Sequence, residues 1–235
     1  MAAESTIERY VERWGLPAGA EEQLEELARL VAADQGAPTT VREPQRILED
    51  HLADSLVALE LDHVNWEGRI ADLGAGAGFP GLPLAIARPQ ASIGLVESNT
   101  RKCDFLRGAV RRLELDNAEV VRERAEQWRD GLDSCDVVVA RALAALPVVA
   151  EYAAPLLRIG GSLVAWRGRR DPVEETMGAI AAAELGLEPL DAIAVSPYPE
   201  ALHRHLHVMV KVTATPPRFP RRPGVARKHP LGRAM

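Results

Sequence analysis

The chain has 235 residues, 47% hydrophobic and 26% charged, with a net charge of −6 and two cysteines. That length suits one well-buried α/β domain with a helical extension, or two small domains. No apolar run approaches the ~20 residues of a membrane span, the N-terminus carries no signal-peptide pattern, and Cys103 and Cys135 have neither C-x-x-C nor zinc spacing, so the chain reads as cytoplasmic and free of disulfides and metal.

Residues 4–34 predict two short helices, broken at Gly15-Leu16-Pro17 and by Gly19. They are acidic: the first 34 residues hold eight acids, from Glu4 to Asp34, against Arg9, Arg13 and Arg29. A loop from Gln35 to Val41 follows. Pro44 then fits the first turn of a third helix, with Leu48, Leu52, Leu56 and Leu59 on one apolar face. From Gly68 the pattern becomes strand–helix alternation, with apolar, β-branched runs at 69–73, 92–97, 118–123, 136–141 and 162–167. Ser98, Asn99 and Thr100 offer caps for a helix whose Phe105, Leu106, Ala109, Val110 and Leu113 face one side. The segment 124–135 has room for a short helix or a loop. Asp171-Pro172 before Glu174 and Glu175 starts another helix, which Gly186 stops. Two last strand patterns, Leu187–Val195 and Arg204–Val212, predict a hairpin whose final strand runs antiparallel.

Such alternation builds a largely parallel sheet covered by helices on both faces. The expected fold is α/β and Rossmann-like, with seven strands, the last antiparallel, as in class I methyltransferases. The expected divisions are a helical extension at 1–66, the Rossmann-like domain at 67–214 and a basic, proline-rich tail at 215–235.

Gly74-Ala75-Gly76-Ala77-Gly78-Phe79-Pro80-Gly81 runs from a strand into a helix, so a nucleotide-like cofactor can lie against its backbone. Read from Gly76, the same residues spell G-x-G-x-x-G, with Glu97 following 21 positions later, the dinucleotide fingerprint. That fingerprint wants its first glycine straight after the strand. Gly74 stands there, and in its register the third position is Phe79. Asp72, two residues earlier, suits the cationic amino-acid part of S-adenosylmethionine and would sit poorly beside a pyrophosphate. Glu97 ends the second strand and can accept both ribose hydroxyls. Arg124-Ala125-Glu126 follows the third strand, where methyltransferases place adenine, and Leu156-Leu157-Arg158-Ile159-Gly160-Gly161 matches their turn before the fifth. The cofactor is therefore expected to be S-adenosylmethionine, held by Asp72, Gly74, Gly76, Gly78, Glu97, Ala125 and Glu126.

The acceptor is narrowed by exclusion. Val139-Ala140-Arg141-Ala142 after the fourth strand is not the Asn- or Asp-Pro-Pro-aromatic sequence of amino-directed nucleic-acid enzymes. Neither cysteine stands where a carbon-5 pyrimidine enzyme needs its nucleophile. An acceptor with a ready lone pair remains, such as guanine N7, for which alignment and exclusion of water suffice. Arg141 is a candidate for holding guanine O6 or a phosphate, or else a structural ion pair.

After Glu200 there is no acid, but there are eight basic residues, Arg204, Lys211, Arg218, Arg221, Arg222, Arg227, Lys228 and Arg233, and four of the six histidines. This end either contacts a polyanion, RNA above all, or is a solvated tail. His203, His205 and His207 alternate on a strand, and with no local acid or cysteine they suggest a solvent- or RNA-facing strand rather than a metal site.

Together these residues resemble the bacterial 16S ribosomal RNA (guanine-N7) methyltransferases, also called glucose-inhibited division protein B. The likeness covers about residues 37–230. It rests on Thr39, Val41-Arg42-Glu43-Pro44, His51-x-x-Asp54-Ser55, the Gly74–Gly81 loop, Arg124-Ala125-Glu126, Ala140-Arg141-Ala142, Arg204-His205-Leu206 and Arg218-Phe219-Pro220-Arg221-Arg222. The resemblance implies methylation of one guanine in the 530 loop of 16S rRNA, with Phe79 and Arg141 joining Gly74, Ala125 and Glu126 as cofactor contacts and His51 and Asp54 near the active site. RNA contacts are expected from Arg167, Arg204, Arg218, Arg221, Arg222, Arg227 and Lys228. The implied partner is 16S rRNA or the small ribosomal subunit, met by a monomer with no membrane contact. The chain departs from the family at Ala37-Pro38, at Glu97 for the usual aspartate, and at Ala140, Leu143 and Ala145, where an aromatic and two serines are lost. A methyltransferase of small molecules or proteins and an inactive cofactor-holding RNA-binding protein are the alternatives.

Overall fold

The computed structural model describes residues 6–34 and 37–232; Glu4, Gln35, Gly36 and Arg233 of the expectations above lie outside the described residues. Helices α1 (Thr6–Trp14) and α2 (Ala20–Ala33) turn Ile7, Tyr10, Trp14 and Leu24, Leu27, Val31 inward, at the spacing of one helical face. Pro44 opens the next stretch, where the Glu43 carboxylate accepts the amides of Gln45 and Arg46. This stretch is not one uniform helix. α3 (Pro44–Ile47) widens into a π turn over Leu48–Ala53, narrows to α4 (Asp54–Leu56) and tightens into a 3-10 turn at Val57–Glu60. Such widened turns recur at functional sites.

The sheet holds β1 (Arg69–Leu73), β2 (Ser92–Val96), β3 (Ala118–Val121), β4 (Cys135–Arg141), β5 (Leu157–Arg167), β6 (Leu187–Pro189), β7 (Ile193–Val195) and β8 (Arg204–Lys211). The single strand expected at 187–195 is two. Pro189, which has no N–H to donate, ends the first piece. Both pieces pair antiparallel with β8, Leu187 opposite Lys211 and Ile193 opposite Leu206. β8 in turn runs antiparallel to β5, as the hairpin pattern predicts. The strand order is β3-β2-β1-β4-β5-β8-β6, with β1 to β5 parallel. Growth of the sheet reverses between β1 and β4, so the crevice for a ligand opens at their carboxyl ends.

Between strands lie α5 (Gly81–Ala87), α6 (Thr100–Arg112), α7 (Leu146–Ala153) and α8 (Pro172–Leu185). Asn99 caps α6 by accepting the Lys102 amide, Asp171 caps α8, and Gly186 ends α8 with φ +80°. The segment 124–135 forms two 3-10 turns. Alternate strand residues face opposite layers. Ile70, Val137, Val139, Val164, Leu206 and Val208 share one core with α5, α6 and the N-terminal helices. Ala71, Leu73, Val138, Ala140, Leu163 and Met209 share the other with α7 and α8.

Residues 215–232 are packed rather than loose. They lie on the second face, with Phe219 and Ala226 buried and a short helix α9 (Val225–Lys228). Lys211 is fully buried where this segment departs, its ammonium donating to the carbonyls of Ala154 and Leu157 and to Thr215 Oγ1, and burial lowers its pKa. Among the described residues, no helix is long and apolar enough to cross a membrane, and no group of histidines, cysteines and acids could hold a metal.

Candidate active site

β1 delivers the chain into the glycine loop at the crevice. Gly74 has φ +71°, where a side chain is strained, and a Cβ there would stand 2.6 Å from Leu143 Cδ1. The loop's amides are engaged internally. Gly74 and Ala75 donate to the Val96 carbonyl at 2.8 and 3.2 Å, Gly78 to Ala75 at 2.7 Å, and Gly76 to Glu97 Oε2 at 3.3 Å. At the start of α5 the Gly81 amide donates to Asp72 Oδ2 at 2.9 Å. A carboxylate thus sits where a dinucleotide's pyrophosphate would need the helix N-terminus, which removes the rival reading of these glycines.

Asp72 is 1% exposed, and its other oxygen, Oδ1, is buried without a hydrogen-bond partner among the described residues. Burial pushes its pKa up to about 7, against the Gly81 hydrogen bond and the charge of Arg141, with Glu97 adding to the rise. A buried, half-satisfied carboxylate is costly unless a cation completes it. Glu97, also buried, is aimed by the amides of Asn99 (2.8 Å) and Gly76, with Lys102 Nζ 3.7 Å away. It borders a cavity of about 360 Å³ lined by Gly74, Glu97, Ala125, Glu126, Leu143, Tyr152 and Arg227. Acids beside small backbone turns suit a cationic nucleoside derivative with free ribose hydroxyls.

Ala142, with φ +53°, follows Arg141 at the end of β4 and lies between this cavity and a second of about 480 Å³. Arg141 faces the second. Its Nη1 donates to Asp54 Oδ2 (2.9 Å) and the Asp50 carbonyl (2.8 Å), and Nη2 lies 3.1 Å from His51 Nδ1. The same Nδ1 is 3.2 Å from the Asp50 carbonyl, and Nε2 is 2.9 Å from Thr39 Oγ1, so both ring nitrogens have polar partners. Burial and then the charge of Arg141 lower the His51 pKa to about 4, so the ring is neutral at pH 7. It stacks on Phe79 at 4.4 Å between centroids, with the Arg141 guanidinium 5.5 Å from the same ring.

The expected site residues therefore divide. Glu97, Gly74, Ala125 and Glu126 border the first cavity, and the Gly76 amide holds Glu97. Asp72, Arg141 and Phe79 do not line it: Asp72 is buried against Gly81, Arg141 borders the second cavity and Phe79 is buried in a stack with His51. Gly78 packs against Leu82 and Leu106. Arg167 and Arg204 border the second cavity. Arg167 is held by Glu174 and the Ala144 carbonyl, and Arg204 stands 3.3 Å from Asp54 and 3.5 Å from Asp50. Arg221 is engaged within the protein: its guanidinium grips the buried carboxylate of Glu151 with two hydrogen bonds and donates to the His229 carbonyl, clamping the C-terminal segment to the sheet's second face. Arg218 pairs with Glu184 at 3.0 Å, while Arg222 and Lys228 are exposed. Arg227 borders the first cavity.

Both cysteines are buried with raised pKa values, Cys103 donating to the Glu97 carbonyl and Cys135 at the far end of β4, so neither is a nucleophile here. His205 Nδ1 donates to the Gly168 carbonyl at 2.9 Å, and His207 is buried beside Glu175. Sequence reasoning missed Asp50, Tyr198 and Trp166. The Asp50 carboxylate gathers Arg46, Arg204 and the Tyr198 hydroxyl, and the Trp166 indole donates to the Asp54 carbonyl at 2.6 Å. Burial and Asp50 push the Tyr198 pKa up to about 12, so it stays a donor. Only Asp50 had a signal, its place beside His51.

The geometry agrees with what the chain is similar to. The model of the family described as GidB, rRNA small subunit methyltransferase G, matches residues 21–196. A ribosomal RNA small subunit methyltransferase G of Rubrobacter xylanophilus is 40% identical over 239 residues, covering 98% of this chain and 92% of that one. One from Chloroflexus aggregans is 39% identical, covering 93% and 94%. Among solved structures, an S-adenosylmethionine-dependent methyltransferase from Aquifex aeolicus aligns with a TM-score of 0.55 at 15% identity, over 80% of this chain and 98% of that one. TYW2 of M. jannaschii, solved with S-adenosylmethionine, gives 0.53 at 16%, over 73% and 77%. The two structures show the fold alone, but the family model and the relatives show more: this chain belongs to the rRNA small subunit methyltransferase G (GidB) family and is an S-adenosylmethionine-dependent methyltransferase of small-subunit ribosomal RNA.

Proposed function

We propose that the protein methylates N7 of a guanine in the 530 loop of 16S rRNA, with cofactor in the cavity at Glu97 and the purine in the cavity at Arg141. The observation that carries this reading is the meeting at Ala142 of a cavity bordered by the buried carboxylate of Glu97 with a second cavity lined by Arg141, Arg167 and Arg204. S-adenosylmethionine supplies a methyl carbon made electrophilic by its sulfonium sulfur. Asp72 receives the methionine ammonium, Glu97 the ribose hydroxyls, and Ala125 with Glu126 the adenine.

Guanine N7 carries no proton, so its methylation needs no general base. The second cavity fits that requirement. His51 is neutral, but both ring nitrogens are already engaged, by Arg141 and by Thr39. Its work is to hold Arg141 and to present a flat wall with Phe79. Arg141 and Arg204 offer guanidinium N–H groups to purine O6 or to a flanking phosphate, the pairing that reads guanine. Catalysis then comes from alignment and exclusion of water. The acidic partners of these arginines keep them oriented before RNA arrives.

The test is transfer of labelled methyl from S-adenosylmethionine to small ribosomal subunits or to naked 16S rRNA, with alkali-labile N7-methylguanine mapped afterwards. Label at one guanine of the 530 loop is expected. Label on another atom or in another loop would correct the acceptor, and no label in either RNA would support an inactive RNA-binding protein.

A further inference from the structure

The family match ends at residue 196, yet the first cavity has a wall made by residues well beyond it. The segment after β8 crosses the second face of the sheet and is fastened there. Phe219 and Ala226 are buried in its core, and Arg221 clamps the buried Glu151 of α7. From that anchor the chain reaches the cavity rim. The Gly224 amide donates to Glu126 Oε1 at 3.2 Å, and Arg227 Nη2 donates to the Leu143 carbonyl at 3.0 Å. Tyr152, on α7, faces the same cavity as Glu126 and Arg227, and burial raises its pKa. Glu126, Leu143, Tyr152 and Arg227 all line the same cavity.

We infer that the C-terminal segment is a working wall of the cofactor site and that Arg227 is a cofactor-binding residue, not an RNA contact. The inference rests on the reading of the Glu97 cavity as the S-adenosylmethionine site. Two contacts hold the rim from outside the glycine loop, and a third group is left for the ligand. The Gly224 amide orients a carboxylate on the adenine side, Arg227 fixes the carbonyl next to Ala142, and the remaining guanidinium N–H groups of Arg227 face a nucleoside with many acceptors. A guanidinium can also stack on a flat aromatic ring such as adenine. Arg227 is exposed and its loss opens no core, so its removal is read without unfolding the protein.

The experiment is calorimetric titration of S-adenosylhomocysteine into the full chain and into Arg227→Ala, Arg227→Lys and Glu97→Ala, beside salt-dependent binding of a 530-loop RNA. Arg227→Ala is expected to weaken cofactor binding about tenfold, the scale of one lost charge-assisted hydrogen bond, with Arg227→Lys recovering little. RNA affinity and its salt slope should stay unchanged. Cofactor should also slow amide exchange at Gly224 and along α9 in the parent protein. If Glu97→Ala abolishes binding while Arg227→Ala leaves it intact, the inference is overturned and the cavity assignment stands. If neither substitution matters, the cavity assignment falls and takes the inference with it. A lower salt slope in Arg227→Ala with unchanged cofactor affinity would return Arg227 to the RNA.

Discussion

On the β1–β3 side of Ala142, the buried carboxylates of Asp72 and Glu97 are fixed by backbone amides; on the other side, Arg141 and Arg167 each have one carbonyl partner, and all three arginines balance their charge on acidic side chains, Arg141 and Arg204 on Asp54 and Arg167 on Glu174. Amide contacts cannot exchange without moving the chain, so the first cavity is preformed. Side-chain ion pairs can trade one anion for another, and a phosphate is a stronger competitor than water. The difference fits the two ligands: a small molecule of constant shape, and an RNA whose phosphates must be met and released.

The sharpest way to break this contrast is Gly74→Val. A side chain there meets Leu143 and the strain of a positive φ, and cofactor binding should become undetectable by calorimetry while the circular dichroism spectrum persists. Unaltered affinity would mean the glycine loop does not bound the cofactor.

Asp72→Asn tests the acidic side through pH. The pKa of Asp72 is about 7 when folded against ~3.9 in the unfolded chain, so the folded state keeps the proton longer and its stability is lost as pH rises from about 4 to 7. Without cofactor, the asparagine variant should unfold later than the parent at pH 8, by on the order of 3 kcal/mol, with the gap closing near pH 4. In the parent protein, cofactor binding should weaken as pH falls below about 7, because a protonated Asp72 offers an ammonium no charge. The variant should bind cofactor poorly at every pH. A parallel pH dependence in parent and variant would remove Asp72 from the account.

On the arginine side, Asp54→Ala leaves Arg141 and Arg204 without their shared counter-charge and should cost about 2–3 kcal/mol in denaturant unfolding. Asp54→Asn should cost less. Equal losses would show that packing, not charge, is what Asp54 contributes.

The smallest effect is expected on the surface. Replacing Arg222 and Lys228 by alanine should leave stability and cofactor binding alone. The salt slope of RNA binding should fall by about 0.7–0.9 for each phosphate that is no longer neutralised. Arg221→Ala, one residue from Arg222, should instead lower stability, since it strands the buried Glu151.

Much of the fold was legible because strands and caps are local. The runs at 69–73 and 136–141, the Asn99 and Asp171 caps and the stop at Gly186 all read directly from neighbouring residues. Helix α7 left no such trace. All eight of its residues are buried, so the sequence Leu-Pro-Val-Val-Ala-Glu-Tyr-Ala shows no polar face to mark a period. The site divides in the same way. Asp72 and Glu97 are recognisable because each ends a strand beside a turn. Arg141 meets Asp54 across 87 residues of chain, and Arg221 meets Glu151 across 70, pairings that exist only once both layers are packed. An arginine in a basic stretch looks the same in sequence whether it will face solvent or a buried acid.

Lys211 carries a last consequence. Its enclosed ammonium behaves like a captive alkali ion, gathering acceptors from the α7–β5 corner and from Thr215, where the C-terminal segment sets off. Thr215 in turn donates to the Leu185 carbonyl at the end of α8. One cation thus rivets together strand β8, two helices and the root of the segment that reaches the cofactor cavity. Fraying of that strand and loss of the cavity wall should therefore occur as a single event, giving the enzyme one melting transition where its layered build would suggest two.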